Sequence, residues 1–171
     1  MKELLFAILI LSFAVSMASA QKLYVSQKGV ITIDTTLTLP GRSKQDLFNK
    51  LKKWSVINIQ DYNSMSRGEV NPDLLKFLYI TDYWAALGGR QKYSQDVTFD
   101  ISDGSVNIKF DQLRTYVPVK GVPPVEQAPK GWSADKFFKN NDNQLKPKFD
   151  KFYSDVKSQF IKMVTDVASE I

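Results

Sequence analysis

The chain has 171 residues and a formal net charge of +5 at pH 7, and it contains neither histidine nor cysteine. Without His it lacks the commonest general base and metal ligand; without Cys it lacks thiol nucleophiles, disulfides and thiolate zinc sites. Ser-His-Asp triads, HExxH zinc centres and Cys-His proteases are excluded, which leaves carboxylates, Lys, Tyr and Ser as the available chemistry.

The first 20 residues read as a secretory leader. Lys2 supplies a positive start, Leu4 to Val15 is an apolar run broken only by Ser12, and Ala18-Ser19-Ala20 offers the small residues a signal peptidase reads. The apolar run is shorter than the ~20 residues needed to span a bilayer. Cleavage between Ala20 and Gln21 is expected, giving an exported protein with no transmembrane segment, soluble or peripherally attached to the envelope, periplasmic or extracellular. Lys2 and Glu3 cancel, so the mature charge stays at +5. A remaining length of about 150 residues suits one domain, and three Trp, seven Tyr and nine of the eleven Phe remain to build its core without crosslinks.

Ile31, Ile33, Leu37 and Leu39 alternate with polar residues, which predicts a strand with one wet face. Pro40-Gly41 ends it, and Ser43 is placed to cap a helix, with Asp46 as a capping-box-like partner. Leu47, Leu51 and Trp54 fall at helical spacing and Phe48 broadens the stripe. Residues 55–73 read mostly as loop, with Asn71-Pro72-Asp73 starting a short helical turn. Leu74 to Leu87 reads mostly as a strand closed by Gly88-Gly89. Val97, Phe99 and Ile101 alternate up to Asp103-Gly104, a two-residue hairpin signal, and Val106, Ile108 and Phe110 alternate after it. The apolar phase then slips to Leu113 and Val117, which predicts a bulge near Asp111-Gln112. Residues 118–132 are Pro-rich and aperiodic, a linker or surface loop, and Ser133 to Asn140 reads as a short helix. Phe149, Phe152, Val156, Phe160, Met163, Val167 and Ile171 form one apolar stripe on a long helix expected to pack on the protein's own sheet.

The expected class is α+β, two-layered, with an antiparallel sheet (a strand, a helix, then a strand meander) packed by the long C-terminal helix. The expected organisation is a leader over 1–20, an α+β domain over 21–117, the Pro-rich linker over 118–132 and a helical segment over 133–171 that packs on the domain.

Leu39-Pro40-Gly41, Ser43-Lys44, Asp46-Leu47-Phe48 and a helix closing with Trp54 form a pattern that resembles the bacterial exported family known as domain of unknown function 4468. The meander with turns at Gly88-Gly89 and Asp103-Gly104 is similar to that family too, so the resemblance covers about Gly29 to Val117. It implies a TBP-like fold and an envelope location. It brings no catalytic residues, and TBP-like names a shape without implying DNA binding.

Three patterns bear on chemistry. Ser133-Ala134-Asp135-Lys136 fits S-x-x-K but lacks the companion motifs of penicillin-recognising enzymes, and it reads as a helix cap. Gly88-Gly89-Arg90 lacks P-loop spacing and reads as a hairpin turn. Asp34, Asp100 and Asp111 share the polar phase of their strands with Lys109; a close carboxylate pair could hydrolyse a glycosidic bond, but Asp on a solvated sheet face is commonplace. No catalytic, cofactor or metal residue is assigned. Residues 130–162 carry eight Lys against four Asp, scattered as on a solvated helix surface or one drawn to an anionic envelope surface. The absence of a basic cluster argues against nucleic acid.

The sequence thus predicts a non-catalytic exported binding or accessory domain whose partner is an envelope protein, peptide or glycan; the rival is a small carboxylate-dependent hydrolase. Tyr79 and Tyr83 fall in the phase opposite Leu78, Ile80 and Trp84. With the latter three assigned to the helix side, the two Tyr and Trp132 become an expected aromatic binding platform.

Overall fold

The computed structural model describes residues 24–25, 31–59, 66, 71–84, 89–115, 120–122, 138–139 and 144–171. The expected leader, its expected cleavage point at Ala20 and Gln21, Trp132, Ser133 and most of the Pro-rich stretch lie outside these residues. Five of the described strands form one antiparallel sheet in the order β1-β2-β5-β4-β3: β1 Tyr24–Val25, β2 Ile31–Thr38, β3 Leu74–Trp84, β4 Arg90–Ser102 and β5 Ser105–Thr115. Helices α1, Lys44–Asn58, and α2, Asp150–Glu170, share one hydrophobic core with that sheet, which makes the expected α+β architecture.

Local chemistry fixes each element. In α1, Ser43 is extended and its side chain accepts from the Asp46 backbone N–H at 3.2 Å, the N-cap the sequence predicts. The Asp46 carboxylate turns to Arg42 instead, at 3.3 Å. The helix runs one turn beyond Trp54, because Asn58 donates its side-chain amide to the Trp54 carbonyl at 2.9 Å and Ile59 folds back into the core. Asn71-Pro72-Asp73 is a tight turn into β3 and not the start of a helix. The Asn71 side chain accepts from Asp73 N–H at 2.9 Å, its carbonyl accepts from Leu74 N–H, and the Asp73 carbonyl is already taken by Ile101 of β4.

The β4–β5 hairpin turns on Asp103-Gly104, where Gly104 has φ +70° and would strain any residue with a Cβ. Its backbone also exchanges hydrogen bonds with Leu39 and Arg42, which ties the Pro40-Gly41 corner to the hairpin. Gln112 sits at φ 54° where β5 slips by one residue against β4, at the predicted bulge. The helix expected over 133–140 is corrected at its described end: Phe138–Lys139 is a strand paired antiparallel with Gln144–Leu145 (β6 and β7).

All seven stripe residues of the C-terminal segment are buried. Phe160 meets Phe110 of β5 edge to face at 4.9 Å, and Phe152 meets Tyr83 and Tyr93 at 5.6 and 5.1 Å. On the α1 side, Trp54 and Phe77 converge on Phe99 at 5.9 and 5.5 Å. Among the described residues no helix is long and apolar enough to cross a membrane.

Candidate functional site

The register of β3 against β4 decides which face of β3 meets the helices. Phe77 pairs with Val97 and Leu75 with Phe99, so the odd-numbered residues of β3 lie with the core phase of β4. Tyr79 and Tyr83 therefore point toward the helices, the reverse of the expected platform. Tyr83 is fully buried, accepts a hydrogen bond from Gln95 Nε2 at 2.8 Å and packs on Phe152 of α2. Tyr79 is partly buried against Phe110, with ring centres 5.9 Å apart. Burial pushes both phenols above their ordinary range. Leu78 occupies the opposite face and is itself buried.

That opposite face carries the charged chemistry. Asp34, Asp100 and Lys109 lie on it as expected, Asp34 opposite Lys109 and Asp100 opposite Asn107. The group that sequence reasoning missed is centred on Asp96, a buried carboxylate in β4. Arg114 Nη1 donates to its Oδ1 at 2.9 Å, and Lys76 Nζ lies 3.2 Å from its Oδ2. The bulge creates this pairing. Below it Asp96 faces Asp111, and above it Ser94 faces Arg114 in place of Leu113. The extra residue swings Arg114 onto the charged face and sends Leu113 into the core.

Asp111 completes the group. Burial first, then the neighbouring Asp96 charge, holds its proton affinity above the ordinary value, while Lys109, Lys76 and Arg114 act in the opposite sense. One of its carboxylate oxygens is buried without a hydrogen-bond partner. Asp111 also borders a crevice between the bulge and α2, lined in addition by Gln95, Leu113, Phe152 and Tyr153. At about 10 Å³ the crevice has room for about one water; small-molecule pockets are typically ~300 Å³ or larger. Among the described residues no cluster of three potential metal ligands occurs.

The raised Asp111 value makes a signed prediction. The folded protein holds this proton more tightly than the unfolded chain does, so folding is favoured most below the ordinary value of 3.8 and loses that contribution as pH rises through the higher folded value. Asp111→Asn should melt at or above the wild-type temperature at neutral pH, and the gap between the two should close on acidification. Melting curves across that interval check this; a gap that widens in acid would reverse the assignment.

No family model and no curated protein matches the chain. Two solved structures do resemble it in fold. One is a TBP-like protein from Parabacteroides distasonis, with a TM-score of 0.60 at 13% identity over 85% of this chain and 94% of the other. The second is a DUF4468 family protein from Bacteroides ovatus, with a TM-score of 0.60 at 12% identity over 89% and 90% of the two chains. The chain has the TBP-like α+β fold, shared with a structure of the family its sequence resembles.

Proposed function

We propose that the protein is an exported, non-catalytic binding or accessory domain of the cell envelope, periplasmic or extracellular, engaging an envelope protein, peptide or glycan. Export is supported by the Lys2 start, the apolar run and Ala18-Ser19-Ala20. The non-catalytic reading is carried by one observation: the buried carboxylate Asp96 is committed to two cations at 2.9 and 3.2 Å. Both of its oxygens are thus engaged by side chains of the fold, and the crevice beside its neighbour Asp111 admits about one water.

Intact mass of the protein recovered from the envelope fraction tests export. A chain beginning at Gln21 is expected, with or without cyclisation of that residue, and a mass retaining residues 1–20 would overturn it. Pull-down with the processed protein from envelope extract then tests the binding role; recovery of a saturable partner is expected.

One observation favours the rival. Asp111, with its raised proton affinity, has the character of a general acid. A glycosidase activity in the wild type that disappears in Asp111→Asn while the fold is kept would replace the binding reading with a carboxylate-dependent hydrolase.

A further inference from the structure

We infer that the outer side of the helix layer is a docking surface for an anionic lipid bilayer. Among the described residues the exposed large aliphatic side chains are Val56, Ile57, Val122 and Ile161, and three of these lie on α1 and α2. Each of the three has a lysine one helical turn before it: Lys52 before Val56, Lys53 before Ile57 and Lys157 before Ile161. Residues at that spacing share a helix face. Ile57 is 69% exposed and Val56 50%, two adjacent aliphatic side chains left outside the core.

The stretches that carry these positions are locally basic. Between Leu47 and Ile59 there are three lysines and no acid, and between Val156 and Thr165 two lysines and no acid. The acids of α2, Asp150, Asp155, Asp166 and Glu170, fall outside that stretch. Both helices share one core on the same side of the sheet, and Lys50 Nζ reaches the Ile171 carbonyl at 3.3 Å across the pair. The exposed sides of both helices therefore contribute to one layer.

A lysine stem lies along apolar surface while its ammonium reaches outward, so the Lys–aliphatic pairs fit the boundary between acyl chain and headgroup. The aliphatics select the occupant. A polyanionic glycan would satisfy the lysines and leave Ile57 in water, whereas an anionic bilayer accommodates both. With no described helix able to span, the contact is peripheral.

This inference rests on the envelope reading for access to lipid, but its test uses purified protein and stands apart from it. The processed protein is sedimented with phosphatidylcholine vesicles, with or without phosphatidylglycerol. Binding is expected only with phosphatidylglycerol and should weaken with added salt. The Lys52→Glu/Lys53→Glu variant should bind at least about tenfold more weakly, and Ile57→Ser about fivefold more weakly with the salt dependence unchanged. All three positions are exposed, so the variants should melt as the wild type does. Equal binding to both vesicle types, or none, would overturn the proposal. Loss in the charge variant with full binding by Ile57→Ser would also overturn it, pointing to a polyanion contact. If vesicle binding fails while export holds, only the docking surface is lost.

Discussion

Truncation before Lys148 should leave a chain with no cooperative thermal transition. The removed segment carries Phe149, Phe152, Val156, Phe160, Met163, Val167 and Ile171, each below a tenth exposed, and Val164, which is fully buried. Burying such a side chain contributes ~1.5–3 kcal/mol, while a domain's whole margin is ~5–15 kcal/mol. The loss would also uncover the helix-facing sides of Phe110, Tyr83 and Tyr93, which meet Phe160 and Phe152 through their rings. Circular dichroism of the truncated chain should show no sharp melt. A cooperative melt near that of the full mature protein would make the helix an appendage.

Arg114→Leu should cost about 3 kcal/mol, equivalent to a fall in Tm of roughly 10 °C. Asp96 has a side chain 4% exposed and Arg114 one 16% exposed, so removing the guanidinium takes one of two cations from a buried carboxylate and leaves Lys76, itself 35% exposed, as the other. That remaining partner keeps the cost at the low end of the range for a broken buried pair. The double variant Asp96→Asn/Arg114→Leu should recover part of the loss, because the uncompensated charge is gone. Equal melting temperatures for wild type and Arg114→Leu would mean that the pair behaves as a surface contact.

These two regions differ in how far the sequence disclosed them. The C-terminal stripe was legible because helical periodicity is local: its three- and four-residue steps need no partner to be read. The Asp103-Gly104 hairpin and the slip after Phe110 were legible for the same reason, and both are present. The orientation of β3 was not. Both of its phases are apolar, so alternation could not choose between Phe77, Tyr79 and Tyr83 on one side and Leu78 and Ile80 on the other. Only the pairing with Val97 and Phe99 decides, and the turn around Gly88-Gly89 does not fix that register from sequence. The Asp96 group was hidden by the same dependence, since Lys76 and Arg114 come together there through two strand registers and a bulge. Strand β1, two residues long, carries no period at all.

The sheet order has a consequence for when the chain can fold as it is synthesised. Strand β2 comes early, yet its partner is β5, whose paired residues begin at Ser105 and end at Phe110. Neither β3 nor β4 lies beside it, so β2 has no long neighbour to close upon until the meander exists. Pairings between distant parts of a chain form slowly, because the intervening loop must be ordered first. The last layer of the core arrives later still, with Phe160 and Val167 near the end of the chain. A polypeptide emerging N-terminus first therefore cannot complete this core until Phe160 and Val167 have emerged. The topology itself delays folding during synthesis, because both the long-range pairing of β2 and the burial of the α2 stripe wait on residues far down the chain.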